Sequence, residues 1–395
     1  MKHERLKSTV RRLPGFESVW GAFRRWQLHG DYRRRREHYA DLARERGLVY
    51  REASVIDQIR QRMVERGYST TLRQPGQVHT FAFIPKISWH SMLYPDLYEL
   101  GPVTEFDYTA HGHRLEEFGR FDDQAVRRRR QMNDLVMPAL RKAHAERPVD
   151  WVFVYASGLE VRVELIRAIV EELGIPVVNM CLDDKQSWTG PLLDGQRTGQ
   201  VDIASAFDVS WTSARAACGW YLCEGARPIY MPEGFDKKFY RPMAVDQDIP
   251  VSFIGGAYGF RPSVIRALER NKIPIQVFGP GWNTRSVWGN EQVMIVNRSR
   301  INLGMGGIGY SERLTNVKTR DFEIPGTGGG IYLTTFNPDL AQHFDIGREI
   351  VCYHSREEIV ELIRYYLARP EEAREIARRG RQRCLAEHRW LHRYQ

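Results

Sequence analysis

The sequence predicts an α/β protein built from two doubly wound domains, and three observations lead to this fold class. The chain has 395 residues, which is more than one hydrophobic core normally organises. Short apolar runs of strand length alternate with amphipathic helical segments. This pattern stops at a polar, proline-bearing connector and then begins again. We therefore predict an N-terminal domain (residues 76–235), a linker (236–250) and a C-terminal domain (251–380), flanked by a helical extension (1–75) and a final helix (381–395).

The N-terminal extension is strongly basic. Residues 1–50 contain thirteen Lys or Arg against six Asp or Glu, so a net +7 of the total +9 lies there. Apolar and aromatic residues fall at helical spacing, and Gly30 is expected to end this helix before a second one starts at Asp31; the spaced residues are Phe16, Val19, Trp20, Phe23 and Trp26. Two interpretations are open. Residues 1–46 rest on an anionic membrane surface, or the extension packs on the body of the protein with its arginines in solvent.

In the first predicted domain, five β-rich runs alternate with loops and helices. A helix follows the second run and is stopped by Gly174. The predicted strands are 78–85, 148–158, 175–184, 207–213 and 227–236. Strands separated by helices indicate a parallel sheet.

The second predicted domain repeats the same alternation. Its predicted strands are 251–256, 273–281, 300–306, 330–335 and 348–355. The helix after the last strand has a capping box, because Ser355 is followed by Glu358 three residues later.

Composition excludes several classes of protein. No run reaches the roughly 18 apolar residues of a membrane span, and the basic start lacks the apolar core of a signal peptide, so we expect a cytoplasmic protein. The five cysteines are scattered without the paired spacing of a zinc site. The basic run Arg127–Arg130 has no interleaved aromatic residues, so we interpret it as a solvated helix face and expect no nucleic-acid partner.

Glycines follow the first two strands of the second domain. Gly255 and Gly256 end one strand, and Arg261 begins the next helix, an arrangement that suits an anion but is also typical of a tight turn. The spacing does not match the dinucleotide fingerprint, so NAD binding is not predicted. Gly281 and Trp282 end the neighbouring strand, and the indole could stack on a base or simply pack.

The stretch VKTRDFEIPGTGG, residues 317–329, combines charge with glycine. Lys318 and Arg320 could neutralise phosphates, and the Glu323 carboxylate could accept hydrogen bonds from two vicinal hydroxyls of a ribose, next to Gly328 and Gly329. An exposed helix that ends at a glycine C-cap explains the same residues. Spacing alone does not decide between these interpretations.

A family resemblance favours the ligand-binding interpretation. The blocks VSFIGGAYGFRPSVIRAL, VFGPGW, NRSRINLG and VKTRDFEIPGTGG resemble the CgeB/YkvP-type group of bacterial family-1-like glycosyltransferases, over roughly residues 150–395. The resemblance implies a GT-B fold, in which two Rossmann-like domains face a cleft and the C-terminal one holds a nucleotide-sugar. It implies that Glu323 holds the donor ribose, that Lys318, Arg320 and Arg261 face the diphosphate, and that neither a metal nor a cofactor is needed. Many retaining relatives have a second glutamate where this chain has Thr315.

The resemblance places the acceptor in the first domain. His90 follows the first predicted strand, and Asp183 and Asp184 end the third, so these side chains are candidates for the base that activates an acceptor hydroxyl. The two aspartates could instead bind a metal, or one of them could cap a helix. The acceptor class stays open between a glycan, a lipid and a small molecule. A non-catalytic relative that binds or assembles a coat is the alternative function.

Overall fold

The structure is a computed structural model that describes residues 16–69, 71–86, 88–111 and 121–395. Residues 1–15 of the predicted basic extension lie outside the described residues. The structure confirms the α/β fold class, because every strand of both main sheets pairs in parallel.

The chain divides into two compact units. The N-terminal unit contains Glu37–Asp236 and Arg389–Gln395, and the C-terminal unit contains Lys237–His388 together with residues 16–36. The described part of the predicted extension and the predicted final helix each contribute residues to both units.

The N-terminal unit has a six-stranded parallel sheet of order β2-β1-β3-β4-β7-β8. Its strands are β1 Thr80–Phe83, β2 Val103–Glu105, β3 Trp151–Val154, β4 Val177–Cys181, β7 Val209–Thr212 and β8 Pro228–Tyr230. A two-stranded hairpin, β5 Leu192–Leu193 and β6 Gln196–Arg197, lies between β4 and β7 in sequence. Five of these strands lie within predicted runs, whereas β2 and the hairpin were not predicted because two or three residues carry too little periodicity.

The C-terminal unit has a five-stranded parallel sheet of order β10-β9-β11-β12-β13. Its strands are β9 Ile249–Ile254, β10 Ile275–Phe278, β11 Ser299–Leu303, β12 Ile331–Thr335 and β13 Val351–Tyr353. All five were predicted. Their apolar residues form one core with the flanking helices, in which Val251, Ile301 and Leu333 are fully buried.

Helices cover both sheets. The first two helices are α1 Phe16–Glu45 and α2 Glu52–Glu65. Those that follow in the N-terminal unit are α3 Tyr94–Leu100, α4 Asp123–Glu146, α5 Val163–Ala168, α6 Asp184–Ser187, α7 Cys218–Cys223 and, at the end of the chain, α13 Trp390–Tyr394. The C-terminal unit contains α8 Arg261–Arg270, α9 Asn290–Arg298, α10 Arg320–Thr327, α11 Arg356–Leu367 and α12 Pro370–Glu387.

Helix α1 continues through Gly30, so the prediction that this glycine ends a helix is wrong. A glycine inside a helix costs only about 1 kcal/mol relative to alanine, which tertiary contacts readily offset. In the C-terminal unit, the imidazole of His29 hydrogen-bonds Ser311 Oγ at 2.7 Å. In the N-terminal unit, Tyr39 is buried against Trp188 and donates a 2.6 Å hydrogen bond to Glu224.

The start of α11 confirms the predicted cap. The Ser355 hydroxyl accepts the Glu358 N–H at 3.1 Å. The Glu358 carboxylate accepts at 2.6 Å from the N–H of His354, one residue before the cap, rather than from Ser355 itself. Both bonds satisfy backbone donors that a helix start leaves open.

The run Arg127–Arg130 is not simply a solvated face, so that interpretation needs correction. Arg129 is fully buried and donates to the carbonyls of Gly158 (2.7 Å) and Leu193 (2.9 Å). Arg130 makes a bidentate ion pair with Asp194. Both arginines hold α4 against the rest of the unit. In the part of the chain that the structure describes, no helix is long and apolar enough to cross a membrane.

Candidate functional site

The strand order of the C-terminal sheet reverses between β9 and β11. In a doubly wound sheet, ligands bind beyond the carboxyl ends of the strands at this point. Here two loops leave the sheet, residues 255–260 after β9 and residues 304–319 after β11. They touch through glycines: a Cβ on Gly259, whose φ is +63°, would lie 1.8 Å from the Gly309 carbonyl oxygen. Only glycine allows this approach.

Two arginines converge on the end of β9. A Cβ on Gly255 would lie 3.2 Å from Nη1 of Arg320 and 3.3 Å from Nη1 of Arg261. Arg261 begins α8 and Arg320 begins α10, so the two charges come from the first turns of helices that follow neighbouring strands. The sequence prediction that these residues share one site with Gly255 is consistent with this geometry.

Arg261 is only 2% exposed. Its guanidinium lies over the rings of Tyr258 (4.1 Å) and Phe253 (5.6 Å), and its Nη1 donates to the Gly256 carbonyl at 3.2 Å. Burial, and secondarily the charge of Arg320, lowers the pKa of Arg261 from 12.5 to about 10.

Both guanidiniums keep buried N–H groups without acceptors. Arg261 Nε and Arg320 Nη1 have no hydrogen-bond partner. The charge of Arg320 also acts on the carboxylates of Asp321 and Glu323, whereas Arg261 is affected chiefly by burial and by Arg320. The buried charge of Arg261 is costly without a partner. Positive charge held in this way, beside exposed loop backbone, is suited to a phosphate group.

Glu323 lies in the first turn of α10 and is 7% exposed. It hydrogen-bonds the Tyr240 side chain, from the stretch predicted as the linker. Burial raises the pKa of this carboxyl from 4.5 to about 7, against the opposing effects of Tyr240 and Arg320. A carboxylate at this helix start, close to Arg320, can accept hydrogen bonds from sugar hydroxyls.

Asp321 fixes the start of α10 and was not predicted from sequence. One carboxylate oxygen accepts the Lys318 N–H at 2.7 Å, and the other accepts the Tyr332 hydroxyl at 2.5 Å. Burial raises the pKa of Asp321. Lys318 itself is half-buried at the end of the loop. Asp321 and Glu323 stand two residues apart in the sequence, but sequence alone could not show which of the two carboxylates fixes the start of the helix.

Trp282 braces the glycine loop. Its indole Nε1 donates a 2.6 Å hydrogen bond to the Gly255 carbonyl, and its ring packs edge-on against Phe253. Gly281, with φ +84°, lies against Ala257, and Gly256 lies near the Pro280 carbonyl. The packing interpretation of Trp282 accounts for these contacts.

Gly328 and Gly329 do not join the other candidate residues. Gly328 ends α10 with φ +71°, one full helix away from Arg320, so about 12 Å separates them. A Cβ on Gly328 would meet Arg381 at 2.4 Å, and one on Gly329 would meet the Asn297 backbone at 2.7 Å, near the amino end of β11. The C-cap interpretation explains both glycines, which lie at the wrong edge of the sheet for the site.

The N-terminal sheet also reverses its order, between β1 and β3. His90 follows β1, is buried, and lies 5.0 Å from the Tyr155 ring, which follows β3. Burial, and then the charge of Asp183, raises the pKa of Tyr155 well above its usual value. The structure therefore brings His90 and Asp183 to one edge, around a tyrosine that the sequence did not single out.

Asp184 belongs to the core of the N-terminal unit. It is fully buried and accepts hydrogen bonds from the hydroxyls of Thr212 and Tyr221, the latter at 2.8 Å. Burial raises its pKa from 3.8 to about 6. Asp183 occupies the N-cap position of α6, but its side chain makes no capping bond. Asp183 is half-buried, whereas Asp184 is fully buried.

Comparisons with known proteins agree with this architecture. Residues 261–395 match a family described as glycosyl transferase-like. The crystal structure of Anabaena HepE with UDP-glucose has a TM-score of 0.51 and 9% identity over 80% of this chain and 97% of that one. The structure of HepE in complex with UDP and glucose has a TM-score of 0.50 and 9% identity, and the match covers 80% of this chain and 98% of that one. The structure of an α,α-trehalose-phosphate synthase (UDP-forming) from Burkholderia vietnamiensis has a TM-score of 0.48 and 11% identity, and the match covers 81% of this chain and 97% of that one. No curated protein matches the sequence.

The class of the protein follows from these observations. The two Rossmann-like units give the GT-B fold, and the matched segment contains Arg261, Arg320 and Glu323. The chain has the GT-B fold, and its residues 261–395 are similar to a glycosyl transferase-like family.

Proposed function

We propose that the chain binds the diphosphate of a nucleotide-sugar between Arg261 and Arg320 and transfers the sugar to an acceptor hydroxyl. The observation that carries the proposal is the pair of guanidiniums beside Gly255, of the buried Arg261 and the half-buried Arg320, each with a buried N–H group that has no acceptor. A diphosphate supplies the missing acceptors and the opposite charge.

In this proposal, Glu323 holds the ribose of the donor. Its carboxylate follows Arg320 by three residues, so both project from the first turn of α10. Lys318 precedes the same helix and adds positive charge. Charge builds up on the diphosphate as the sugar leaves, so these cations stabilise the transition state more than the bound donor. We propose no metal ion and no cofactor, because the arginines and helix starts supply the charge.

We propose UDP as the nucleotide to test first, because the HepE structures contain UDP. The Lys-x-Arg-x-Phe-Glu-Ile-Pro block supports membership of the CgeB/YkvP-type group. Thr315, in place of a glutamate, leaves both stereochemical outcomes open.

On the acceptor side, we propose that His90 or Asp183 removes the proton of the acceptor hydroxyl. His90 follows β1 and Asp183 follows β4, and both lie near Tyr155, which follows β3 between them in the sheet. Asp184 is left out of this proposal because two hydroxyls already satisfy it. A glycan, a lipid and a small molecule all offer the required hydroxyl.

We also propose that the enzyme works in the cytoplasm and touches the inner face of the membrane through residues 1–46. Trp20, Phe23 and Trp26 are all exposed in the described part of this segment. Deleting the whole segment would not test the contact, because Tyr39 is buried in the N-terminal unit and its loss would damage the fold.

A thermal-shift panel tests the function. UDP, GDP, CMP and dTDP are compared, each alone and as its sugar conjugate, followed by an assay of donor hydrolysis and transfer. Stabilisation by one nucleotide, and turnover of its sugar, is the expected result. Stabilisation without turnover would support the non-catalytic alternative, and no response to any nucleotide would refute the donor site.

A further inference from the structure

A second basic cavity lies within the C-terminal unit, between α1 and the loop after β11. Its volume is 510 Å3, within the usual range of ligand pockets. Its walls include four arginines and three ring side chains: Arg33, Arg34, Arg36, Arg313, Trp26, His29 and Tyr32. None of these residues belongs to the proposed donor site.

Three of the four arginines of this cavity form no ion pair with a described carboxylate. Arg34, on the same wall, pairs with Asp31. By contrast, Arg33, Arg36 and Arg313 form no ion pair with any carboxylate in the described part of the chain. The charge of Asp339 raises the pKa of Tyr32, but less strongly than the charge of Arg36 lowers it. The cavity therefore presents three positive charges to a ligand.

The wall of the cavity is held in place by specific contacts. Ser311 is fully buried, hydrogen-bonds His29 at 2.7 Å, and accepts the N–H groups of Arg313 (3.2 Å) and Leu314 (2.9 Å). The same serine thus fixes the helix and the loop that carries Arg313. The three charges are presented by an ordered frame and not by a free surface segment.

An exposed aromatic strip leads into the cavity. Trp20, Phe23 and Trp26 are 41%, 49% and 71% exposed, and successive ring centroids are 5.9 and 6.1 Å apart. Trp26 is also part of the cavity wall. Aromatic side chains beside arginines are typical of surfaces that contact the interface of a membrane. A soluble anion would use the arginines but would have no use for the strip.

We propose that this cavity binds the phosphate of an anionic lipid head group, while Trp20, Phe23 and Trp26 enter the interface beside it. The proposal rests on the membrane contact proposed above and assigns it a specific site. Arg33, Arg36 and Arg313 hold the phosphate, and the aromatic strip selects a phosphate that is attached to a lipid.

The test uses the full-length protein and sedimentation with phosphatidylcholine vesicles, with and without phosphatidylglycerol. The variant Arg33→Gln/Arg36→Gln/Arg313→Gln is compared with Arg266→Gln/Arg270→Gln/Arg364→Gln, which removes the same charge from exposed positions of the same unit outside the cavity. At about 1 kcal/mol for each basic residue near the surface, the cavity variant should lose about a hundredfold in vesicle affinity. The control variant should retain nearly all of it, and equal losses would overturn the proposal.

Two further measurements separate the sources of the phosphate and the two sites. Trp26→Ser should weaken vesicle binding and leave the weak binding of soluble glycerol phosphate unchanged. Equal affinity for vesicles and glycerol phosphate, with no effect of Trp26→Ser, would mean a soluble ligand and would overturn the lipid assignment. UDP affinity should be the same in the cavity variant as in the wild type, whether or not the donor proposal holds. A loss of UDP affinity confined to the cavity variant would place these arginines in the donor site instead.

Discussion

Arg261 and Arg320 direct like charges at the same piece of backbone. Their Nη1 atoms lie 3.3 and 3.2 Å from the place that a Cβ on Gly255 would occupy. Burial, with Arg320 as the second cause, lowers the pKa of Arg261 to about 10. Two cations held together in this way repel each other, and a diphosphate between them would turn that repulsion into attraction. The arrangement favours ligand binding at the expense of stability.

The first prediction concerns this trade-off. Replacing Arg320 with glutamine removes both its repulsion of Arg261 and its attraction to Glu323 and Asp321, so the melting temperature without nucleotide should change little. UDP affinity should fall by about ten- to a hundredfold, because a charged hydrogen bond is worth about 1.5–3 kcal/mol. Thermal denaturation with and without UDP measures both effects. Arg270→Gln, at an exposed position on α8, is the control and should change neither quantity. A destabilised Arg320→Gln variant with normal UDP affinity would make Arg320 a structural residue.

The second prediction concerns pH. Burial raises the pKa of Glu323 to about 7, so the free protein favours the protonated acid below that value. Ribose hydroxyls donate to the carboxylate form, so donor affinity should increase as the pH rises from 6 to 8. Glu323→Gln should remove this increase and weaken binding by about ten- to a hundredfold at pH 8. Titration calorimetry with UDP at several pH values measures both changes.

The same pKa shift affects folding in the opposite direction. Because the folded pKa of Glu323 lies above the ordinary 4.5, its contribution to stability is fully present below pH 4.5 and is lost as the pH rises through about 7. The loss is about 3 kcal/mol as an upper figure. Glu323→Gln should therefore lose less stability than the wild type between pH 5 and pH 8. The exposed variant Glu269→Gln should follow the wild type, and parallel curves for all three proteins would mean that Glu323 titrates normally.

Much of the fold could be predicted from sequence, because repeated apolar runs of strand length leave few arrangements for a chain of this size. All five C-terminal strands were predicted for this reason. The continuation of α1 through Gly30 could not be predicted, since it depends on contacts such as His29 with Ser311 that are remote in sequence.

Some residues of the candidate site could likewise be predicted from sequence, and others could not. Glu323 and Arg320 stand in a recognisable block, but the role of Gly328 depends on which end of a helix faces the ligand. Sequence also could not separate Asp183 from Asp184, because neighbouring residues point to different sides and only the fold shows which side is the core. Tyr155 has no motif around it, and its place beside His90 comes from the pairing of β1 with β3.

The third prediction tests the brace made by Trp282. Trp282→Phe keeps an aromatic ring but loses the N–H that donates to the Gly255 carbonyl at 2.6 Å. We expect a loss of about 1 kcal/mol in the free energy of unfolding, measured by urea denaturation. Trp288→Phe, at an exposed position, should have no such effect. If the indole served only to stack on a base, Trp282→Phe would retain full stability.

The last prediction separates the two neighbouring aspartates of the N-terminal unit. Asp184→Ala leaves the hydroxyls of Thr212 and Tyr221 without their buried acceptor, so the free energy of unfolding should fall by about 2–4 kcal/mol. Asp183→Asn should cost less stability than Asp184→Ala, because Asp183 is only half-buried, and it should lower the turnover number if Asp183 is the proposed base. Neither substitution should alter UDP affinity, because UDP is proposed to bind in the C-terminal unit. Urea denaturation, UDP calorimetry and a transfer assay on both variants measure these three quantities. A stable Asp184→Ala protein with lost turnover, beside a fully active Asp183→Asn protein, would reverse the assignment of the two residues.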